Sequence, residues 1–187
     1  MRVLVTGATG FIGSHLVEAL LSRGFEVSCL VRDPSRASWI SGMDVRLMPG
    51  DCTDPESLAG VTSGMDYVFH NAGVTKASGR ETYYKVNADG TRNVLEAAAR
   101  DAAGLKKLVY VSSQAAAGPS VMDRPRKEDD PPAPVTDYGL SKLEGERYAL
   151  KFKDVLPVSR KRLLPLLAYF DGLGTTLRRG EGRDVPA

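Results

Sequence analysis

Residues 1–13, MRVLVTGATGFIG, set a short apolar run against three glycines at intervals of three, Gly7, Gly10 and Gly13. Glycine is disfavoured by roughly 0.5–1 kcal/mol against alanine inside a regular element. Three at a fixed spacing therefore point to a constraint on the backbone. Arg2–Thr6 reads as a strand and 11–23 as a helix, with Ile12, Leu16, Ala19 and Leu20 on one face and Gly24 as its stop. The glycines thus lie in a strand-to-helix turn. Gly7 permits a tight turn there, Gly10 lets backbone approach a ligand, and Gly13 lets the helix pack close to the sheet.

The same alternation continues along the chain. Strands are expected at Glu26–Val31, 45–48, 66–70 (DYVFH) and 107–112 (KLVYVS), and helices at 81–100 and 136–152. Strands that alternate with helices imply right-handed βαβ units and a parallel sheet covered on both faces. LVYV, at 108–111, has no period-2 pattern, as suits a strand buried on both sides. The fold class is therefore α/β: a Rossmann-type doubly wound parallel sheet in three layers, α/β/α, over 1–158, with an atypical tail at 159–187. The proline-rich DRPRKEDDPPAP, 123–134, is a surface loop.

Composition narrows the classes. The chain has 187 residues, 42% hydrophobic and 26% charged, which suits one globular domain. A net charge of +2 gives no argument for nucleic acid or a membrane surface. The two cysteines, Cys29 and Cys52, are too few for a disulfide scaffold and read as reduced thiols. No signal peptide opens the sequence, and LLPLLAYF (163–170) falls far short of the ~18 residues of a membrane helix. A cytoplasmic protein is expected. His15 and His70 lack metal-site partners, so no metal is expected.

Three segments follow strands at one sheet edge: the glycine turn, HNAG (70–73) and VSSQ (111–114). Ligands of open α/β sheets bind outside the carboxyl ends of strands, and a helix start offers free N–H groups to a pyrophosphate. The glycine spacing is G-x-x-G-x-x-G rather than G-x-G-x-x-G. Further on, YGLSK places Tyr138 and Lys142 four residues apart, on one face of a helix. An ammonium near a phenol favours the phenolate, so the tyrosine can exchange a proton near neutral pH. Ser113, after the fifth strand, can hydrogen-bond a substrate carbonyl or alcohol.

With TGATGFIG (6–13), GD (50–51), HNAG (70–73), VNADGTRNVLEAA (86–98), VYVSS (109–113) and YGLSKLEGER (138–147) in order, the chain resembles the extended short-chain dehydrogenase/reductase family. That family includes nucleotide-sugar epimerases and dehydratases, dihydroflavonol reductases and 3β-hydroxysteroid dehydrogenases. The resemblance implies that Gly7, Gly10 and Gly13 line the pyrophosphate, with Phe11 and Ile12 donating backbone N–H groups. It implies that Asp51 faces the adenine and that Ala72 and Gly73 border the adenosine ribose and pyrophosphate; Cys52 and Asn71, beside them, join the cofactor-binding set. Asn87 would steady the long helix near the active site and is counted with the catalytic residues. Ser113, Tyr138 and Lys142 would form the catalytic group, with Tyr138 and Lys142 also at the cofactor and Lys142 on the nicotinamide ribose.

An acid at the end of strand two would grip the 2′-hydroxyl of NAD. That position falls on Val31, and Asp33 lies past the strand. Arg32 and Arg36 can instead clamp a 2′-phosphate, so NADP is expected ahead of NAD. The reaction implied is hydride transfer between nicotinamide and the alcohol or carbonyl of a small-molecule substrate, by an oxidoreductase, epimerase or dehydratase. HNAGVTKA and RETYYKVNADGTRNVLEAA look more like the reductase and hydroxysteroid-dehydrogenase side. The alternative is a catalytically silent dinucleotide-binding module, sensing redox state or regulating a partner. Members of the family are longer and continue with R-P-x-x-x-Y-G, which is absent after DVLPV (154–158). A missing or remnant substrate domain is expected, with cofactor binding retained and turnover weak or absent; truncation, frameshift and a natural short form stay open. A homodimer through helices 81–100 and 136–152 is permitted.

Overall fold

β1 (Arg2–Thr6) lies inside a sheet whose other strands are β2 (Glu26–Val31), β3 (Val45–Pro49), β4 (Tyr67–His70), β5 (Lys107–Tyr110) and the two-residue β6 (Val158–Ser159). The computed structural model describes residues 1–120, 124–127, 129–153, 155–156, 158–159, 177–179 and 182–184. The strand order is β3-β2-β1-β4-β5-β6, and every pairing is parallel. The chain runs outward from β1 through β2 to β3, then returns to the other side of β1 with β4. That reversal opens a crevice at the carboxyl ends of β1 and β4, where open α/β sheets take their ligands.

The helices are α1 (Phe11–Leu21), α2 (Arg80–Tyr83), α3 (Gly90–Asp101), the single-turn α4 (Gln114–Ala117) and α5 (Asp137–Lys151). Two cores lie against the sheet. Val3, Val5, Val17, Leu20, Val27 and Ile40 fill one; Leu4, Leu58, Val68, Leu95 and Leu108 fill the other. Alternate residues of β1 thus serve opposite cores, which is why RVLVT shows no polar alternation. Each such side chain contributes about 1.5–3 kcal/mol when fully buried. Among the described residues no helix is long and apolar enough to cross a membrane.

The glycine turn is built by contact. Gly7 has φ +69, and a Cβ there would stand 2.7 Å from the backbone of Ala72, just beyond β4. A Cβ on Gly13 would run into the carbonyl oxygen of Gly7. Gly10 differs: its Cβ would meet only the Gly7 oxygen, at an ordinary 3.5 Å.

The helix expected over 81–100 is present but not uniformly α-helical. Between α2 and α3, Tyr84–Asp89 winds as a π-helical turn, closed by the Gly90 N–H on the Lys85 carbonyl. The wider turn carries Asn87 and Ala88 into the interior. Thr136, expected inside the last helix, is instead its cap: its hydroxyl accepts from the Gly139 N–H at 3.0 Å. Of the expected tail, Leu177–Arg179 and Gly182–Asp184 pair antiparallel. Residues 160–176, 180–181 and 185–187, which include LLPLLAYF, lie outside the described residues.

Gly13→Ala should lower unfolding stability by about 3 kcal/mol or more, since backbone must move. Gly10→Ala should change it by no more than about 1 kcal/mol, the scale of a poorer helix cap. Urea denaturation of both variants checks the contrast; equal losses would contradict it.

Candidate active site

The carboxyl ends of β1, β4 and β5 bring together the glycine turn, Asn71–Gly73 and Ser112–Ser113. The first two are tied directly: the Asn71 side-chain amide donates to the Gly7 carbonyl at 3.4 Å, and the Ala72 N–H to the Thr6 hydroxyl at 3.1 Å. Gly10 caps α1 with extended backbone and no side chain, leaving the N–H groups of Phe11 and Ile12 at the bare helix end. A pyrophosphate fits this arrangement. The chain itself does not require a glycine at position 10, whereas a ligand lying on that backbone would.

Farther along the edge, the Asp51 carboxylate accepts from the Thr53 N–H at 2.8 Å and the Thr53 hydroxyl at 2.9 Å. Cys52 sends its thiol into the core beside Leu58 and Val94, and burial pushes that thiol up to about 12. Its carbonyl accepts from the Asn93 side chain at 2.9 Å. Val31 ends β2 buried, and Arg32 and Arg36 stand exposed beyond it. Asp33 is engaged locally: the Ser35 hydroxyl and N–H both donate to one carboxylate oxygen, at 2.6 and 2.9 Å, and hold its carboxyl below the usual range.

α5 supplies the remaining groups. Lys142 is only 4% exposed. Its ammonium donates to the Val111 carbonyl at 2.8 Å and lies over the Tyr110 ring, 4.2 Å from the centroid. Burial lowers its pKa to about 8, opposed by the charge of Glu146. Tyr138 is half-buried one turn earlier, its ring 6.2 Å from that of Tyr83. Ser113 caps α4, its hydroxyl accepting from the Ala115 N–H at 3.2 Å. A hydroxyl that accepts there keeps its own proton to donate.

Asn87 joins three pieces. Its carbonyl oxygen accepts from the Val74 N–H at 2.8 Å, and its amide donates to the Val74 carbonyl and the Ser141 hydroxyl, each at 3.0 Å. Ser141 donates in turn to the Tyr138 carbonyl at 2.8 Å. The loop after Gly73 is therefore fastened to the turn of α5 that carries Tyr138 and Lys142. Tyr83 holds the next residues, accepting from the Ala77 N–H at 3.2 Å and donating to the Thr75 carbonyl at 3.4 Å. The sequence reading passed over Tyr110, Val111 and Ser141, although Ser141 immediately precedes Lys142 in YGLSK.

The NAD-dependent epimerase/dehydratase family model matches residues 3–155. A second model, the winged helix of elongation factor SelB, matches only 140–184 and overlaps α5, which here packs on α3 and α4. The ceramide reductase of Caulobacter vibrioides is 42% identical over 77% of this chain and 40% of its own length. The mouse 3β-hydroxysteroid dehydrogenase type 7 is 33% identical over 90% of this chain and 50% of its own. The Thermus thermophilus UDP-glucose 4-epimerase, solved in complex with NAD, superposes with a TM-score of 0.74 at 31% identity, over 84% of this chain and 52% of that one. The chain thus spans about half the length of the curated relatives it matches.

The buried Lys142 makes a signed prediction. Its folded pKa, about 8, lies below the 10.5 of the free side chain, so between those values the unfolded state binds more protons and stability rises with pH. The full effect is roughly 3 kcal/mol at 1.36 kcal/mol per unit. Cys29 and Cys52, both pushed up to about 12 by burial, act oppositely above pH 9. Wild type should therefore gain stability on Lys142→Met between pH 8 and pH 10, where the thiols cancel from the difference. Parallel urea curves with no such gain would contradict a buried Lys142 whose pKa is lowered to about 8.

Proposed function

The chain belongs to the NAD-dependent epimerase/dehydratase family, and we propose that it binds a nicotinamide dinucleotide across the β1–β4 crevice and acts on a secondary alcohol or ketone. The observation that carries this reading is the placement of Lys142. Its ammonium sits at the Val111 carbonyl, two residues before Ser113 and one helical turn from Tyr138, on the edge that also holds the glycine turn. The bound dinucleotide supplies the hydride that this chain's own residues cannot. Tyr138 holds the proton that a carbonyl oxygen takes up on reduction, and receives it back in the reverse direction. Lys142 would hold the nicotinamide ribose. The Ser113 hydroxyl donates to the same substrate oxygen and steadies its developing charge. Asn87 keeps the loop and α5 at a fixed distance, so that these groups stay aimed at one point.

Two refinements follow. Arg32 and Arg36, exposed beyond a strand that ends in Val31 rather than an acid, favour NADP(H), with Asp33 tied into its own turn. The substrate class is an alcohol or ketone on an apolar molecule rather than a nucleotide-sugar; relatives named ceramide reductase and 3β-hydroxysteroid dehydrogenase support that side. A homodimer through α3 and α5 fits the same reading.

Nicotinamide fluorescence should show tighter binding of NADPH than NADH. Arg32→Glu should reverse that order by weakening NADPH alone; an equal effect on both dinucleotides would sink the clamp. Gly10→Ala should weaken both while the fold persists. Ketone turnover by the wild-type chain should be weak; Tyr138→Phe should bind dinucleotide as wild type does and lose at least about a hundredfold of that turnover, the scale of one general acid. Unchanged turnover would remove Tyr138 from the chemistry.

A further inference from the structure

His70 ends β4 fully enclosed, 1% exposed, between two threonines that are themselves 0% exposed. The Thr6 hydroxyl lies 2.7 Å from its Nδ1 and the Thr91 hydroxyl 3.0 Å from its Nε2. The direction of each bond is fixed by counting protons. A carbonyl oxygen accepts only, so the Thr91 hydroxyl spends its one proton on the Asn87 carbonyl, 2.6 Å away. Nε2 must then carry a proton and donate to Thr91. In a neutral ring Nδ1 must accept, and only the Thr6 hydroxyl is there to donate. Thr6 in turn accepts from the Ala72 N–H at 3.1 Å. The chain reads, without a conflict, Ala72 N–H to Thr6 O–H to Nδ1, then Nε2–H to Thr91 O–H to the Asn87 carbonyl.

An imidazolium would break it, because Nδ1–H would face the proton of Thr6. The surroundings oppose that charge as well. Tyr110 stacks on the His70 ring at 5.7 Å between centroids, and the Lys142 ammonium lies over the same Tyr110. Burial first, and the Lys142 charge second, push His70 down to about 3.

We propose that His70 and Thr91 are positioning residues: through one neutral imidazole they lock the Ala72 edge of the dinucleotide crevice to the π-helical turn that carries Asn87, and so to Tyr138 and Lys142. The two ends are far apart in sequence. Thr6 and His70 are separated by 64 residues, and Asn87 and Ser141 by 54. The relay makes one rigid unit of the cofactor loop and the catalytic helix. Its functional half rests on the dinucleotide reading above; its geometry does not.

The full 187-residue chain holds two histidines, and His15 is a half-exposed α1 residue, so imidazole 15N–1H spectra assign easily. Wild type at pH 7 should show His70 as the Nε2–H tautomer. Thr91→Val should flip it to Nδ1–H, since Nε2–H would lose its acceptor; Thr91→Ser should keep Nε2–H. In NADPH titrations Thr91→Val should bind about fivefold more weakly, the worth of one buried hydrogen bond, with Thr91→Ser restoring affinity. Thr6→Val should weaken binding similarly, and the double variant no further than the weaker single. An Nδ1–H tautomer or an imidazolium in wild type overturns the relay, as do additive losses from Thr6→Val and Thr91→Val. If wild type binds neither NADPH nor NADH, the proposed function falls while the tautomer still decides the relay.

Discussion

Backbone meets backbone at Gly7, and the rest of the molecule is arranged around that approach. A Cβ on Gly7 would press on Ala72, and one on Gly13 would press on Gly7 itself. Two missing side chains therefore let β1, the loop after β4 and the start of α1 share one point in space. No burial energy elsewhere substitutes for this, because the obstacle would be steric rather than a lost attraction. Once the turn is closed, the N–H groups of α1 and the Ala72 loop face the same crevice. β5 then adds Ser113 beside them, and α5 adds Tyr138 and Lys142.

The second tier is polar. Asn87 reaches inward only because Tyr84–Asp89 opens into a wider turn. From there one side chain satisfies both polar groups of Val74 and touches Ser141. Buried polar groups are costly unless paired, so a fully paired Asn87 admits few alternative arrangements of the loop. The charged member of the cluster is treated differently. Lys142 remains buried with a single carbonyl and an aromatic face for company, and its lowered pKa records the cost.

Much of this was legible in the residues, and what was not has a common cause. The strands and helices followed from hydrophobic pattern, and the glycine turn from spacing, because both depend on neighbours close in sequence. The parallel sheet and the epimerase/dehydratase family stand as read. The π-helical turn was not legible: VNADGT carries an ordinary helical pattern, and the wider turn accompanies contacts with Val74 and Ser141 that no local window contains. Cys52 was grouped with the cofactor by its place after Asp51; the burial of its thiol depends on core neighbours that no local window contains. His70 closes a strand that reads as buried, but its tautomer depends on Thr6 and Thr91, which only the folded chain brings to it.

The position of β1 also shapes how the chain comes together. β1 pairs with β2 in a register offset of 24 residues, Val3 with Val27, but with β4 at an offset of 64, Val3 with Tyr67. At synthesis rates of 5–20 residues per second, β1 waits roughly three to thirteen seconds for its second neighbour. During that wait one edge of an apolar strand, VLV, has unpaired N–H and C=O groups. Such an edge invites pairing with another chain. The order that opens the crevice beside β1 is thus the order that keeps this buried strand waiting for its second neighbour.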